Sequence, residues 1–351
     1  MDAHPIPAPP LALRQPPRST APSRSRRAAT LAAALAAALA AAVLLAHPRA
    51  ARAQQPLQDS VRAQLDRLPA RSSIYAVNLK SGDTVSVRPD QPMNTLSVIK
   101  LPVLVAAFRD AEAGQLDLDA RYTIRPEDLR RGSGLLQTFA PGLQPTWRDI
   151  LTQMIVTSDN TATDLVIRRV GPARVNALLD TLGLRQTRLR STTGQLFRGV
   201  WALANPANDT LSDRTVFLRG FPSDSQAARR SFAFEGDSTK WLGRSTAREM
   251  TRLLTLLYQG KLANAADTKA MIDILLQQFY SSRLPRRIAF RADVAHKTGD
   301  WPPYAGNDVG IILYPGGPTV VSVFTNQNRG SFYDLEETIG RIAEELIDTW
   351  K

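Results

Sequence analysis

Cysteine is missing altogether from the 351-residue chain. Its absence excludes disulfides, thiolate metal sites and an acylated lipobox cysteine, so the fold must rest on its core alone. Histidine is nearly as scarce: the chain holds three, and His4 and His47 lie in an N-terminal segment unlike the rest. Beyond that segment only His296 remains. A multi-histidine metal site is therefore excluded, and a Ser-His-Asp triad would have to use that one residue. With no metal site and no cofactor motif expected, catalysis narrows to carboxylate, lysine and hydroxyl chemistry.

The N-terminal segment explains half of the charge. Residues 1–53 hold seven arginines and one aspartate, half of the chain's net +12, so +6 is left for the remainder. That excess is dispersed in pairs such as Arg130-Arg131 and Arg286-Arg287, without the basic stripe and interleaved aromatics of a nucleic-acid binder. The segment itself runs from Arg24-Ser25-Arg26-Arg27 through a nineteen-residue Ala/Leu-rich stretch, Ala28 to Ala46, to Ala51-Arg52-Ala53. Positive flank, apolar stretch and small-x-small site predict a secretory signal peptide cleaved after Ala53. An uncleaved membrane anchor is the alternative, since the stretch is long enough to span a bilayer. Either way the remainder is expected outside the cytoplasm, periplasmic or secreted, with Sec or twin-arginine export left open.

Residues 54–351 read as one α+β domain. A helix over Pro56–Leu68 puts Leu57, Val61, Leu65 and Leu68 on one stripe, and a hairpin follows at 73–79 and 84–87. Three strands are predicted near the C-terminus, at Ile288–His296, Asp308–Tyr314 and Thr319–Thr325, before a final helix from Asp334. Two strands at the front and three at the back predict a single antiparallel five-stranded sheet flanked by helices, with an all-helical lobe inserted. The sheet lobe is placed at 54–93 and 280–351 and the helical lobe at 94–279. Residues 194–245, polar with scattered aromatics, read as an excursion whose aromatics pack as a small cluster, with a substrate lid as the alternative.

Three short motifs carry chemistry. Ser97 and Lys100 stand three residues apart at the start of an apolar helix, so both side chains leave one face. Serine needs a neighbour to take its proton, and lysine can do so where burial or nearby positive charge lowers its pKa. Ser158-Asp159-Asn160 falls on a short connection between two predicted helices, and His296-Lys297-Thr298-Gly299 at the end of a predicted strand. The local readings of the flanking residues are a turn carboxylate for Asp159 and a strand-end histidine with a single hydrogen bond for His296.

In this order and these contexts, the three motifs resemble those of the class A β-lactamases and related penicillin-recognising serine hydrolases. The resemblance implies the three-layer fold of that family over nearly all of residues 54–351. It implies Ser97 as the acylated nucleophile, Lys100 as the amine that helps deprotonate it, and Ser158 as the proton relay to the leaving nitrogen. Asn160 would orient Lys100 and the substrate amide, and Lys297 with Thr298 would draw in a substrate carboxylate. Gly299 completes that motif, and the backbone N–H groups of Ser97 and Asp300 would form the oxyanion hole. The implied partner is a β-lactam or a peptidoglycan-like acyl compound acted on by a monomer. One departure stands out: where the family carries a loop glutamate that activates the deacylating water, this chain has Thr193, with Gln195 nearby. Glu235 or Asp237 in the excursion is the candidate replacement. Without one, the expectation is fast acylation and slow release.

Overall fold

The computed structural model describes residues 55–351, so the predicted signal peptide lies outside the described residues. A helix over 55–66 (α1) leads into strands β1 (Arg71–Asn78) and β2 (Thr84–Val87). After β3 (Met93–Asn94) come α2 (Lys100–Glu112), α3 (Trp147–Val156), α4 (Asn160–Val170) and α5 (Pro172–Thr181). Strand β4 (Arg188–Leu189) precedes α6 (Thr193–Ala204), α7 (Asp213–Arg219) and α8 (Ala227–Gly236). Strand β5 (Gly243–Ser245), α9 (Ala247–Tyr258) and α10 (Ala265–Leu276) complete the helical part. The chain then returns to β6 (Asp293–Trp301), β7 (Ala305–Leu313) and β8 (Thr319–Asn326), and ends in α11 (Phe332–Thr349).

The five long strands form one antiparallel sheet in the order β2-β1-β8-β7-β6. Its period-2 side chains feed two cores. Ile74, Ala76, Val321 and Val323 pack with Leu57, Val61 and Leu65 of α1 and Ile339, Ile342 and Leu346 of α11. Val309, Ile311, Val320 and Phe324 face the other way, toward the helical lobe. Strand β8 is buried along its whole length because both faces are covered. On the helical side, the Thr251 hydroxyl of α9 donates to the Tyr75 carbonyl at 2.9 Å and is hydrogen-bonded with Ser322 Oγ at 2.9 Å.

The sheet and flanking helices are those expected, with differences of detail. Strand β6 begins at Asp293 rather than Ile288, because Leu284–Arg287, with Pro285, wind into a 3-10 turn. It then runs on to Trp301, so Lys297-Thr298-Gly299 lies inside the strand rather than at its end. Residues 194–245 are largely helical, as α6, α7 and α8, although their apolar positions are too scattered to announce a period. A small second sheet, β3-β5-β4, has no counterpart among the expected strands; its members are two or three residues long, too short for alternation to show.

Two placements bring the sheet and the helical lobe together at the three motifs. Helix α2 is apolar nearly all round and buried from Lys100 to Phe108, as a helix inside a lobe must be. Strand β6 is a sheet edge, and its Gly299 lies against the turn that precedes α2. A Cβ there would come within 2.5 Å of the Thr95 carbonyl oxygen and 3.2 Å of the Ser97 nitrogen. Only glycine permits this approach of sheet to helical lobe.

Candidate active site

Ser97 sits in a single 3-10 turn, Leu96–Ile99, that winds directly into α2. Leu96 before it is held at φ +49°, a left-handed conformation unusual for a non-glycine residue. Ser158, between α3 and α4, is held at φ +55°. Such backbone persists only where the surroundings over-determine it, and both instances flank one cleft.

Lys100 is completely buried. Its Nζ donates to the Ser158 carbonyl at 2.7 Å, Ser158 Oγ at 3.1 Å and Asn160 Oδ1 at 3.0 Å. Asn160 is oriented for this by its own Nδ2, which donates to the Arg131 carbonyl at 2.9 Å, while Ser133 Oγ donates to the Ser158 carbonyl at 2.7 Å. Burial drives the Lys100 pKa well below the ordinary lysine value, and the charge of Lys297 lowers it further. Lys297 is also completely buried, with Nζ donating to the Thr298 carbonyl at 2.8 Å. Burial brings its pKa down to about 7 against the opposing pull of Asp300 and Asp308. Two buried amines whose pKa values are both lowered by burial, beside a half-buried serine, are suited to proton transfer.

Ser97, Ser158, Asn160, Thr193 and Asp300 all line one cavity of about 770 Å³. Its wall is otherwise largely apolar. Phe197 and Phe221, from the 194–245 segment, meet edge to face at 5.2 Å on one side, and Trp301 and Tyr304 at the end of β6 and just beyond it form another. These aromatics therefore border the cleft rather than only packing among themselves.

The four residues considered for water activation have separate fates, and Asp237 stands off the cavity wall, accepting from the Thr239 N–H at 2.9 Å and hydroxyl at 2.7 Å. Thr193 lines the cavity, but its hydroxyl donates to Asp164 at 2.8 Å. Asp164 also accepts from the N–H groups of Thr193 and Gly194 and from Arg130 Nε, all within 2.9 Å, so both its oxygens are occupied. Gln195 is exposed and closes the N-terminal cap of α6 with Thr192; the spacing Thr-x-x-Gln is itself a signal for that role. Glu235 lies outside the cavity wall. It accepts from Gln327 Nε2 at 2.7 Å, the Gln327 N–H at 3.0 Å and Asn94 Nδ2 at 3.3 Å. The carboxylates that do line the cavity are Asp300 and Glu336, gathered around a buried Arg283 that no sequence motif singles out.

Asp159 caps α4, accepting from the Ala162 N–H at 2.8 Å and the Leu136 N–H at 2.7 Å. His296 is buried mid-strand with Nδ1 2.9 Å from Asp308. Asp308 also accepts the Leu284 N–H at 3.0 Å, so the histidine belongs to a structural pair.

A serine beside a buried lysine, with a second serine and a second buried lysine across a mixed α+β cleft, defines a serine hydrolase that works without histidine. The chain belongs to the β-lactamase enzyme family, whose model matches residues 55–350. Among curated relatives, β-lactamase VEB-1 of Pseudomonas aeruginosa is 23% identical over 289 residues, covering 78% of this chain and 84% of that one. The fold matches a β-lactamase from Sphaerobacter thermophilus with TM-score 0.66 at 24% identity, over 83% of this chain and 95% of that one. It equally matches a mutant of PBP-A solved as an acyl-enzyme complex with penicillin G, with TM-score 0.65 at 23% identity, over 84% and 96%.

Proposed function

We propose that the protein opens the amide of β-lactams through an acyl-Ser97 intermediate. The observation that carries this reading is the buried, readily deprotonated Lys100, one helical turn from Ser97 and within 3.1 Å of Ser158 Oγ. Neutral Lys100 takes the Ser97 proton as Oγ attacks the carbonyl carbon. The N–H groups of Ser97 and Asp300 hold the oxyanion, as preorganised donors stabilise charge only as it develops. When the C–N bond breaks, the nitrogen takes a proton from the Ser158 hydroxyl, which recovers one from Lys100. Asn160 keeps the lysine in place, and Lys297 with Thr298 receives the substrate carboxylate. Water then attacks the acyl carbon and Ser97 regains its proton.

That last step is the slow one in this reading. The side where a base would stand is lined by Thr193, whose hydroxyl is committed to Asp164, itself fully bonded. A long-lived acyl-enzyme follows, closer to a penicillin-binding protein or a peptidase, amidase or esterase of this fold than to a fast lactamase. The predicted leader supports export to the periplasm or beyond, where the enzyme would work as a monomer.

The test combines nitrocefin turnover with intact-mass spectrometry after benzylpenicillin treatment. A mass gain equal to the whole β-lactam, mapped to Ser97 and lost in Ser97→Ala, is expected, since the ring-opened nitrogen stays tethered. No adduct and no turnover would sink the proposal, while turnover without an accumulating adduct would place the slow step in acylation instead.

A further inference from the structure

Thr298 and Asp300 sit two apart on β6 and so share a face, the one opposite to that of Lys297 and Gly299. Across the ladder, Gly306 of β7 stands directly opposite Asp300. A Cβ at 306 would lie 2.9 Å from Arg283 Nη1, so the missing side chain is what admits the guanidinium. Arg283 is 1% exposed and lines the cavity. Its Nη1 donates to Asp300 Oδ1 at 2.6 Å, and Glu336 Oε1 stands 4.0 Å away.

Two polar groups in this corner lack a partner among the described residues. Arg283 Nε is buried without an acceptor, and the Thr298 hydroxyl is buried without a hydrogen bond. Guanidinium offers five donors in a fixed fork that matches a carboxylate. Here the carboxylate held by the guanidinium, through Nη1 alone, is the protein's own, on a side chain one-third exposed at the cavity rim. With Asp300 at hydrogen-bond distance and Glu336 near, the positive charge of Arg283 is offset inside the cavity that Ser97 also lines, which leaves Lys297 and Thr298 to receive a substrate's acidic group without it.

We propose that Asp300 is a specificity-determining residue: its carboxylate occupies Arg283 in place of a substrate carboxylate and tilts selection toward substrates neutral at that position. The idea rests on the acyl-Ser97 reading and deepens it: beside carboxylate-bearing β-lactams held by Lys297 and Thr298, the site accepts acyl compounds esterified or amidated next to the leaving nitrogen. An anionic substrate must displace Asp300 from Arg283 or dock beside a like charge, whereas a neutral one meets neither obstacle.

The experiment measures equilibrium binding in a Ser97→Ala background, so it needs no acylation. Benzylpenicillin and its methyl ester are titrated by calorimetry against the Asp300 protein and against Asp300→Asn, with Asp300→Ser as a second variant. Freeing Arg283 is expected to tighten benzylpenicillin roughly tenfold relative to its ester. Adding Arg283→Gln to Asp300→Asn should abolish that gain. An equal change for both ligands, no change, or no measurable binding of benzylpenicillin to either Asp300 variant overturns the proposal. Failure of the acyl-Ser97 reading would appear separately, as the missing adduct on the unsubstituted protein.

Discussion

Lys100 and Lys297 embody a conflict between stability and chemistry. Each is sealed from water, and burial is the leading cause of its lowered pKa. Lys100→Met should slow acylation about 10²–10⁴-fold, the usual worth of a general base. The same change should stabilise the fold by about 1–2 kcal/mol, because methionine fills similar space with no charge to desolvate. Pre-steady-state acylation and thermal unfolding measure the two effects. Lys297 adds a pH signature. Folded, it holds its proton only up to about pH 7; unfolded, it keeps the proton to about pH 10.4. Between those values the unfolded chain binds more protons, so this stability contribution, present above the window, is lost as pH falls through about 7. Urea unfolding from pH 6 to 10 should therefore show stability rising with pH, less so in Lys297→Met. Anchoring of a substrate carboxylate runs the other way, since it needs the ammonium, so KM for benzylpenicillin should rise above pH 7.

Where strand meets helix, steric fit takes over from charge. Gly299 lets β6 reach the 3-10 turn that carries Ser97. Gly299→Ala would drive a methyl group into the Thr95 carbonyl, 2.5 Å away, and push the strand off the turn. The expected result is a loss of about 1–3 kcal/mol in stability and about 10²-fold in acylation, since a 1 Å misplacement suffices for that. Helix α6 depends on a different device. Its first turn is tied by Asp164, which accepts from Thr193 and Gly194 while paired with Arg130, and Arg130 in turn pairs with Asp213 of α7. Asp164→Ala leaves the guanidinium half-paired and buried, and should cost about 3–5 kcal/mol in thermal unfolding.

Across the molecule, the cavity draws on segments far apart in the chain: the Ser97 turn, the α3–α4 connection, α6 to α8, β6 and α11. Its apolar wall arises because Phe197 and Phe221 come round to line the same cavity as Trp301 and Tyr304. Phe221 is 46% exposed and contributes little to the core, so Phe221→Ala should leave the melting temperature nearly unchanged. It should raise KM about five- to tenfold for substrates with bulky apolar acyl groups and spare small ones, as expected for roughly 1–1.5 kcal/mol of apolar burial lost.

The periodic and chemical signals are local, and those are readable in the chain. Short runs rich in β-branched and aromatic residues, bounded by turn residues, along 71–78 and 319–326 announce the sheet, and the stripe on the terminal helix announces its buried face. The spacings around Ser97, Ser158 and Lys297 announce a candidate cleft. Burial of Lys100 and Lys297 depends on everything packed around them, so their softened basicity has no local signal. Arg283 reads as one arginine among many until Gly306 makes room for it beside Asp300. Glu235 reads as a plausible base until folding sends it to Asn94 and Gln327. Short-range pattern dictates which residues form a helix, a strand or a cap, because propensity and periodicity act over a few positions. Which charge faces which, and which carboxylate reaches a cavity, depends on contacts between segments tens to hundreds of residues apart, and those come into being with the packed fold.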